Sequence, residues 1–370
     1  MAREYRVYVG TYTEAIQFGT GEIYQGQGEG IHLFHFSRDK AALTPLSVTG
    51  GVKNPSFLCL DPSRRYLYAV NELKSLEHGK GGMVSAFAVD PGSGELAFLN
   101  SKSTRGMDPC HVTTTRDGTH AMVANYMSGS VIVYPLEQDG RLGDESAFVQ
   151  HSGSSIHLTR QTGPHAHASV FDAANQFVFV PDLGVDRVVA YRFDLPSGSL
   201  RPVDGVSLSM KPGAGPRHIA FSNDGRFAYV VNELDSTLTM CRYDAVSGIL
   251  SPEQTLSTLP EGFDGESSCA DIHLHPSGSF VYVSNRGHDS IALFRRDHDT
   301  GRLKPLGHQV TGGEIPRNFA IEPEGQVMLV ANQASNHIVL FSIDPESGEL
   351  TPTGRETRVG SPVCIQIVPL

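Results

Sequence analysis

Gly-Ala-Gly-Pro-Arg-His-Ile-Ala-Phe-Ser-Asn-Asp-Gly-Arg-Phe-Ala-Tyr-Val-Val-Asn-Glu-Leu, running from Gly213 to Leu234, is the pattern that the rest of the chain repeats. It reads as a strand over His218–Phe221, a tight turn over Ser222–Arg226 and a strongly apolar second strand over Phe227–Val231. Arg217 and His218 open the first strand, and Asn232 and Glu233 close the second. In an antiparallel hairpin the start of one strand and the end of the next share one end of the sheet. Local geometry alone therefore gathers two cations and an acid on one edge.

The residue that opens each such inner strand recurs seven times: Pro55, Pro109, Pro164, Pro216, Ala270, Pro316 and Pro362. Subtraction gives spacings of 46 to 55 residues. A second landmark, Asp-x-x-Ser/Thr-Gly-x-Leu, ends at Leu96, Leu200, Leu250, Leu303 and Leu350, with degenerate copies ending at Leu43 and Leu142. Again there are seven. These turns lack the ligand spacing and closing Glu of an EF-hand, and a hairpin with Gly at positive φ accounts for them. About four short strands per repeat, at this period, predict an all-β fold, a seven-bladed β-propeller of four-stranded blades.

The chain ends fit the same count. The N-terminal strands Arg6–Tyr12, Gly30–Phe36 and Leu43–Val48 lack an inner strand, and Pro362–Val368 is an inner strand without followers. Joining them closes the ring and leaves no open sheet edge. The whole chain, residues 1–370, then reads as one propeller domain. Three insertions, Thr13–Glu29, Leu73–Gly82 and Gly143–Gly163, are expected to flank the face that carries Arg217 and Glu233. Long loops over one rigid face commonly form the rim or lid of a site.

A formal net charge of −11 argues against a nucleic-acid or anionic-membrane surface, both of which need a basic footprint. No apolar run approaches the roughly 20 residues that span a bilayer, and the N-terminus shows no signal-peptide core. The five cysteines form no Cys-x-x-Cys pair, which reads as reduced, buried side chains in a cytoplasmic protein. A small anionic ligand stays compatible with this charge, provided cations are concentrated locally.

They are. Hairpin geometry applied to every blade places Cys110 and His111, His165 and His167, Arg217 and His218, Asp271 and His273, and Arg317 at one mouth of the channel. Asn71 and Glu72, Glu233, Arg286 and Gln333 join them from the second strands. Arginine offers a planar fork to carboxylate or phosphate, so the ensemble predicts an anion-binding pocket. Asn125, Asp182 and Asn332 read instead as backbone-bonding strand ends. His32, His35, His298 and His308 fall outside the mouth and read as structural. Asp271 and His273 alternate on one strand face, where one can simply orient the other.

The His165-x-His167 pair shares a strand face and is a candidate metal chelate. The nearest mouth residues include arginines, which repel a cation, so neither metal nor cofactor is expected. No Gly-x-Ser-x-Gly elbow and no phosphate loop are present. Acid–base chemistry on a small anion remains: a histidine near neutrality, an ionised Glu, and arginines at a developing oxyanion. Lactone hydrolysis fits, as does lactone formation.

Gly-Pro-His-Ala-His, Gly-Ala-Gly-Pro-Arg-His with Val-Asn-Glu-Leu, Cys-Ala-Asp-Ile-His with Ser-Asn-Arg, and Ile-Pro-Arg-Asn-Phe together resemble the propeller-type 6-phosphogluconolactonase family. That family also contains the fungal 3-carboxy-cis,cis-muconate lactonising enzymes. The resemblance covers essentially all seven repeats and implies a cofactor-free seven-bladed propeller. It implies catalytic roles for His165 or His167, Arg217 and Glu233, with Arg286 as a second site arginine; His218, Asp271, His273 and Arg317, placed at the mouth by the hairpins, are expected to bind substrate beside Arg286. For a phosphorylated lactone, Arg286 and Arg317 would hold phosphate and Arg217 would polarise the carbonyl, while a His and Glu233 activate water. For carboxymuconate the arginines would hold carboxylates during ring closure. A non-catalytic propeller scaffold is the alternative of another class. The insertion with Ser154, Ser155, His157, Arg160 and Gln161 is expected to cap the pocket.

Overall fold

Strand Phe227–Asn232 is buried along its whole length, because both of its faces pack against neighbouring sheets. It pairs with Pro216–Phe221 on one side and with Thr237–Asp244 on the other, and Ile249–Ser257 completes the sheet. Gly225, at φ +66, makes the first turn, and Ser222 Oγ accepts the Phe227 amide at 3.0 Å. Exposure rises outward, and the last strand is largely open to water. The centre is therefore apolar on both faces and the rim is polar. Each large side chain withdrawn from water at the centre contributes about 1.5–3 kcal/mol.

The computed structural model describes residues 3–76, 79–203 and 205–370. Seven sheets repeat this arrangement; six have four strands, and the one that starts at Val170–Phe171 gains a short extra strand. They are numbered here as blades 1–7 in order of their second strands. Blade 1 is the mixed one: Pro362–Pro369 lies innermost, followed by Glu4–Thr11, Ile31–Ser37 and Ala42–Thr49. Its closing register pairs Val7 with Ile367 and Val9 with Ile365. The seven-bladed ring expected from the repeats is the fold. Seven apolar clusters among the described residues each straddle two adjacent blades, so cohesion is distributed around the ring.

The Asp-x-x-Ser/Thr-Gly-x-Leu turns explain themselves in this setting. Asp344 Oδ1 accepts the amides of Glu346 and Ser347 at 3.0 and 2.7 Å, and Asp90 does the same for Gly92 and Ser93. The turn glycine then receives a tyrosine hydroxyl from the preceding blade. Tyr8 donates to Gly94 O, Tyr68 to Gly140 O, Tyr229 to Gly301 O and Tyr282 to Gly348 O, at 2.7–3.0 Å. Gly301 has φ +72, and a Cβ there would stand 2.4 Å from Phe227 Cδ1. The repeated glycine thus serves both the turn and the seam between blades.

Two details differ from the sequence expectation. Gly143–Gly163 is not wholly an insertion: Ala147–Gln150 is the outer strand of blade 3, and the loop proper begins at His151. The inner strand of blade 4 is only Val170–Phe171, so His165 and His167 lie in irregular chain ahead of it, tied by a single Ala166–Asp182 bridge. The insertion at Thr13–Glu29 folds as a small hairpin, Ala15–Gln17 against Ile23–Gln25. In the insertion at Leu73–Gly82, residues 77 and 78 lie outside the described residues.

Candidate active site

The first strands of blades 3, 5, 6 and 7 lose register just after they begin. The shifts fall between Pro109 and His111, Pro216 and His218, Cys269 and Ile272, and Pro316 and Asn318. A bulge leaves the extra residue out of the ladder and re-aims its side chain. Cys110, Arg217 and Arg317 are such extra residues. This is why the consecutive Arg217 and His218 can touch, Nη1 to Nε2 at 3.1 Å. The residue before the opening proline is left-handed in five blades: Asn54, Asp108, Gly215, Ile315 and Ser361 have φ between +38 and +65.

Glu233 sits at the centre of three guanidiniums. Arg217 Nε donates to its Oε2 at 3.0 Å, Arg286 Nη2 lies 2.9 Å from the same oxygen, and Arg160 Nη2 holds Oε1. Burial alone would raise this carboxyl, but Arg286, Arg160 and Arg217 hold it well below the usual range. Three cations around one carboxylate leave a surplus of two positive charges. Arg217 is the deepest, with its side chain 3% exposed. It also donates to Ala270 O. Burial, then Arg286 and Arg317, pushes it down to about 10. Arg286 binds Cys269 O at 2.7 Å and leaves its buried Nε–H without a protein acceptor.

Arg317 is different. It lies 5.6 Å from the ring centres of both Tyr12 and Phe18 and makes no ion pair among the described residues. Burial would lower it, while Tyr12, Glu72 and Glu233 raise it, and it stays charged.

The histidines divide into two groups. His167 contacts Cys110 Sγ through Nδ1 at 3.6 Å and meets Tyr126 and His218 edge to face. Burial, then Arg217 and His218, holds it well below the ordinary imidazole value, so it is neutral at pH 7. His165 is turned away: it stacks on Tyr126 at 4.7 Å, and its Nδ1 faces Tyr126 O at 3.0 Å. Below them runs a chain of buried contacts. Asp271 Oδ1 holds His218 Nδ1 at 2.9 Å, and His218 Nε2 faces Arg217. Asp271 Oδ2 also takes Asn318 Nδ2 at 2.6 Å and His273 Nε2 at 3.0 Å. Burial, then Arg217, lowers His218 to about 4, and as a neutral ring it accepts from Arg217.

A cavity of about 650 Å³ opens above this cluster. His167, Cys110, Arg160, Arg286, Arg317 and Glu72 reach its wall, as do Asp108, Tyr126 and the tip of the Thr13–Glu29 hairpin. A water-sized void of about 10 Å³ lies against Arg217, His218, Arg317 and Ser56. Of the residues singled out from the sequence, Glu72, Cys110, His167, Arg286, Arg317 and Gln333 line the large cavity. Arg217 and His218 lie against the small void instead, and Glu233 is tied to the arginines. His165, Asp271 and His273 line neither. His165 and His167 point their Nδ1 atoms at different partners, and no cluster of metal-ligating side chains is present among the described residues.

Three wall residues carried no assignment from the sequence. Arg160 was legible only as part of a capping loop. It crosses from that loop to Glu233 and to Tyr126 OH at 3.0 Å, while Gln161 Nε2 anchors the loop to Leu183 O at 2.8 Å. Tyr126 follows the strand-ending Asn125, a position that carries Glu72 and Glu233 in other blades. Asp108 precedes the opening proline, where only a three-dimensional view shows the left-handed turn.

The family model described as lactonase, 7-bladed beta-propeller, matches residues 6–367. A Bacillus subtilis protein named 6-phosphogluconolactonase is 35% identical over 319 residues, covering 86% of this chain and 85% of that protein. A Formosa agariphila protein of the same name is 35% identical over 321 residues, covering 85% of this chain and 86% of that one. The crystal structure of the periplasmic gluconolactonase of Pseudomonas aeruginosa superimposes with a TM-score of 0.90 at 34% identity, covering 99% of both chains.

Proposed function

The chain belongs to the seven-bladed propeller lactonase family, and from that membership we propose that it hydrolyses a small anionic sugar lactone, 6-phosphogluconolactone to 6-phosphogluconate. Relatives named for the phosphorylated and the unphosphorylated lactone support the reaction class. One observation carries the anionic substrate. In a chain of net charge −11, the cavity wall holds Arg317 without a carboxylate partner and Arg286 with an unmatched Nε–H among the described residues. Concentrated, incompletely paired guanidiniums suit a phosphate.

In this reading His167 takes the proton of the attacking water, because it is neutral and on the cavity wall. Arg317, whose charge acts on His167, polarises the lactone carbonyl and stabilises the oxyanion. Arg286 and Arg160 hold the phosphate. Glu233 has both oxygens engaged by arginines, so it organises the cations rather than accepting a proton. Arg217 and the His218–Asp271 pair support Glu233 from below. A phosphorylated substrate goes with a cytoplasmic location.

Proton release from freshly prepared 6-phosphogluconolactone, gluconolactone and muconolactone tests the reading. Fast turnover of the phosphorylated lactone, lost in His167→Gln and reduced in Arg317→Ala, is the expected result. Unchanged turnover in both variants would remove these roles, and no lactone turnover would return the cycloisomerase or scaffold reading.

A further inference from the structure

Asp108 is a buried carboxyl without an explanation in the fold. Its backbone is pinned on both sides, its N–H donating to Leu73 O at 3.0 Å and its C=O accepting from Tyr126 N at 2.8 Å. Its φ of +51 is the left-handed turn that other blades make with Asn54, Gly215, Ile315 or Ser361. The fold therefore asks for the conformation and not for a carboxylic acid. The side chain is 4% exposed yet reaches the cavity wall, and Oδ1 has no hydrogen-bond partner among the described residues. A buried polar atom left unpaired calls for a functional account. Cys110, two residues on, touches His167 and feels the charge of Asp108, and all three line the same cavity.

Opening a lactone needs two proton movements. Water attacks the carbonyl carbon and gives one proton to His167. Collapse of the tetrahedral intermediate breaks the bond from that carbon to the ring oxygen, which needs a proton to leave as a hydroxyl. Glu233 is ionised and caged, and the arginines do not release protons at neutral pH. Resting on the lactonase reading above, we propose that Asp108 donates the proton to the leaving ring oxygen. Its carboxylate is then reprotonated from solvent, and the new carboxylic acid and His167 each lose a proton, for a net release of one.

The surroundings agree. Burial, then Glu72, raises Asp108 to about 7, against the pull of Lys74, whose Nζ lies 4.0 Å away. Lys74 is drawn off by Gln17 Oε1 at 3.0 Å. The other charged residues that line the cavity are Arg160, Arg286, Arg317, Glu22 and Glu266. A donor must be protonated, so the rate falls as pH rises through about 7.

Asp108→Asn keeps the shape and tolerates the left-handed turn, as Asn54 shows in blade 2. With 6-phosphogluconolactone, kcat at pH 7 is expected to fall on the order of 100-fold with KM little changed, and the alkaline limb of the pH–rate profile to disappear. Infrared difference spectra of wild type minus variant should show one protonated carboxyl band that titrates near neutrality. Turnover with the alkaline limb intact in Asp108→Asn, or no such band, overturns the donor assignment alone. Failure of the wild type to open any lactone overturns it together with the reading on which it rests.

Discussion

Arg217 Nε and Glu233 Oε2 meet at 3.0 Å with side chains 3% and 5% exposed, and two further arginines close on the same carboxylate. Removing one partner of a buried ion pair strands the other without solvent. Glu233→Gln is expected to lower stability by about 3–5 kcal/mol, read by thermal or urea unfolding. The Glu233 carboxyl is held below its unfolded value of 4.5, so its stabilisation is complete above that pH and is lost as pH falls through the lower folded value. The variant should therefore show a flatter acid limb than the wild type. An acid limb of unchanged slope would argue against the depressed carboxylate.

His111, His167 and His218 are buried and neutral, all held below the ordinary imidazole value chiefly by burial. Unfolding lets each bind a proton once pH drops below about 6.5, so each removes up to about 1.4 kcal/mol per pH unit as acid is added. For His218 the window runs from 6.5 down to about 4. His273 opposes this trend, because Asp271 outweighs burial and raises it. Midpoints of urea unfolding at pH 5 and pH 7.5 should differ accordingly, and His218→Asn should narrow the gap.

Arg317 packs against Tyr12 and Phe18 but pairs with no carboxylate among the described residues. Arg317→Ala is expected to reduce kcat/KM by about 10–100-fold, the range of one hydrogen bond to a charged group. Arg317→Lys should recover little, because a point charge cannot reproduce the fork. Steady-state kinetics on phosphorylated and plain gluconolactone checks both statements.

Gly301→Val combines a left-handed φ of +72 with a Cβ 2.4 Å from Phe227 and should destabilise by about 2–4 kcal/mol. Gly225→Ala has a similar φ of +66 but open space around it, so a smaller loss of about 1 kcal/mol is expected. Parallel melts of the two variants separate backbone strain from the crowded seam between blades.

The ring was legible because an opening proline and a turn glycine each recur in six of the seven blades, each for a local reason that survives in the sequence. The gathering of Arg217, Glu233, Arg286 and Arg317 was legible too, since hairpins bring strand starts and strand ends together. What hairpin logic could not supply was the bulge that follows Pro216 and Pro316, which turns Arg217 beneath Glu233 while Arg317 reaches the cavity. His165 and His167 look equivalent in sequence, and only the fold separates them, stacking His165 on Tyr126 and setting His167 on the cavity wall. Arg160 and Asp108 depend on contacts between blades, for which no short motif exists.

The innermost strand of blade 1 is Pro362–Pro369, and its partner is Glu4–Thr11. During synthesis Glu4–Thr11 must wait for a partner strand that begins only at Pro362. Until then Glu4–Thr11 presents an unpaired edge, and the neighbouring blades lack a wall on that side. Pairings this distant in sequence form slowly and leave intermediates open to association. The seam that removes edges from the finished ring is therefore its most exposed point while the ring is being made.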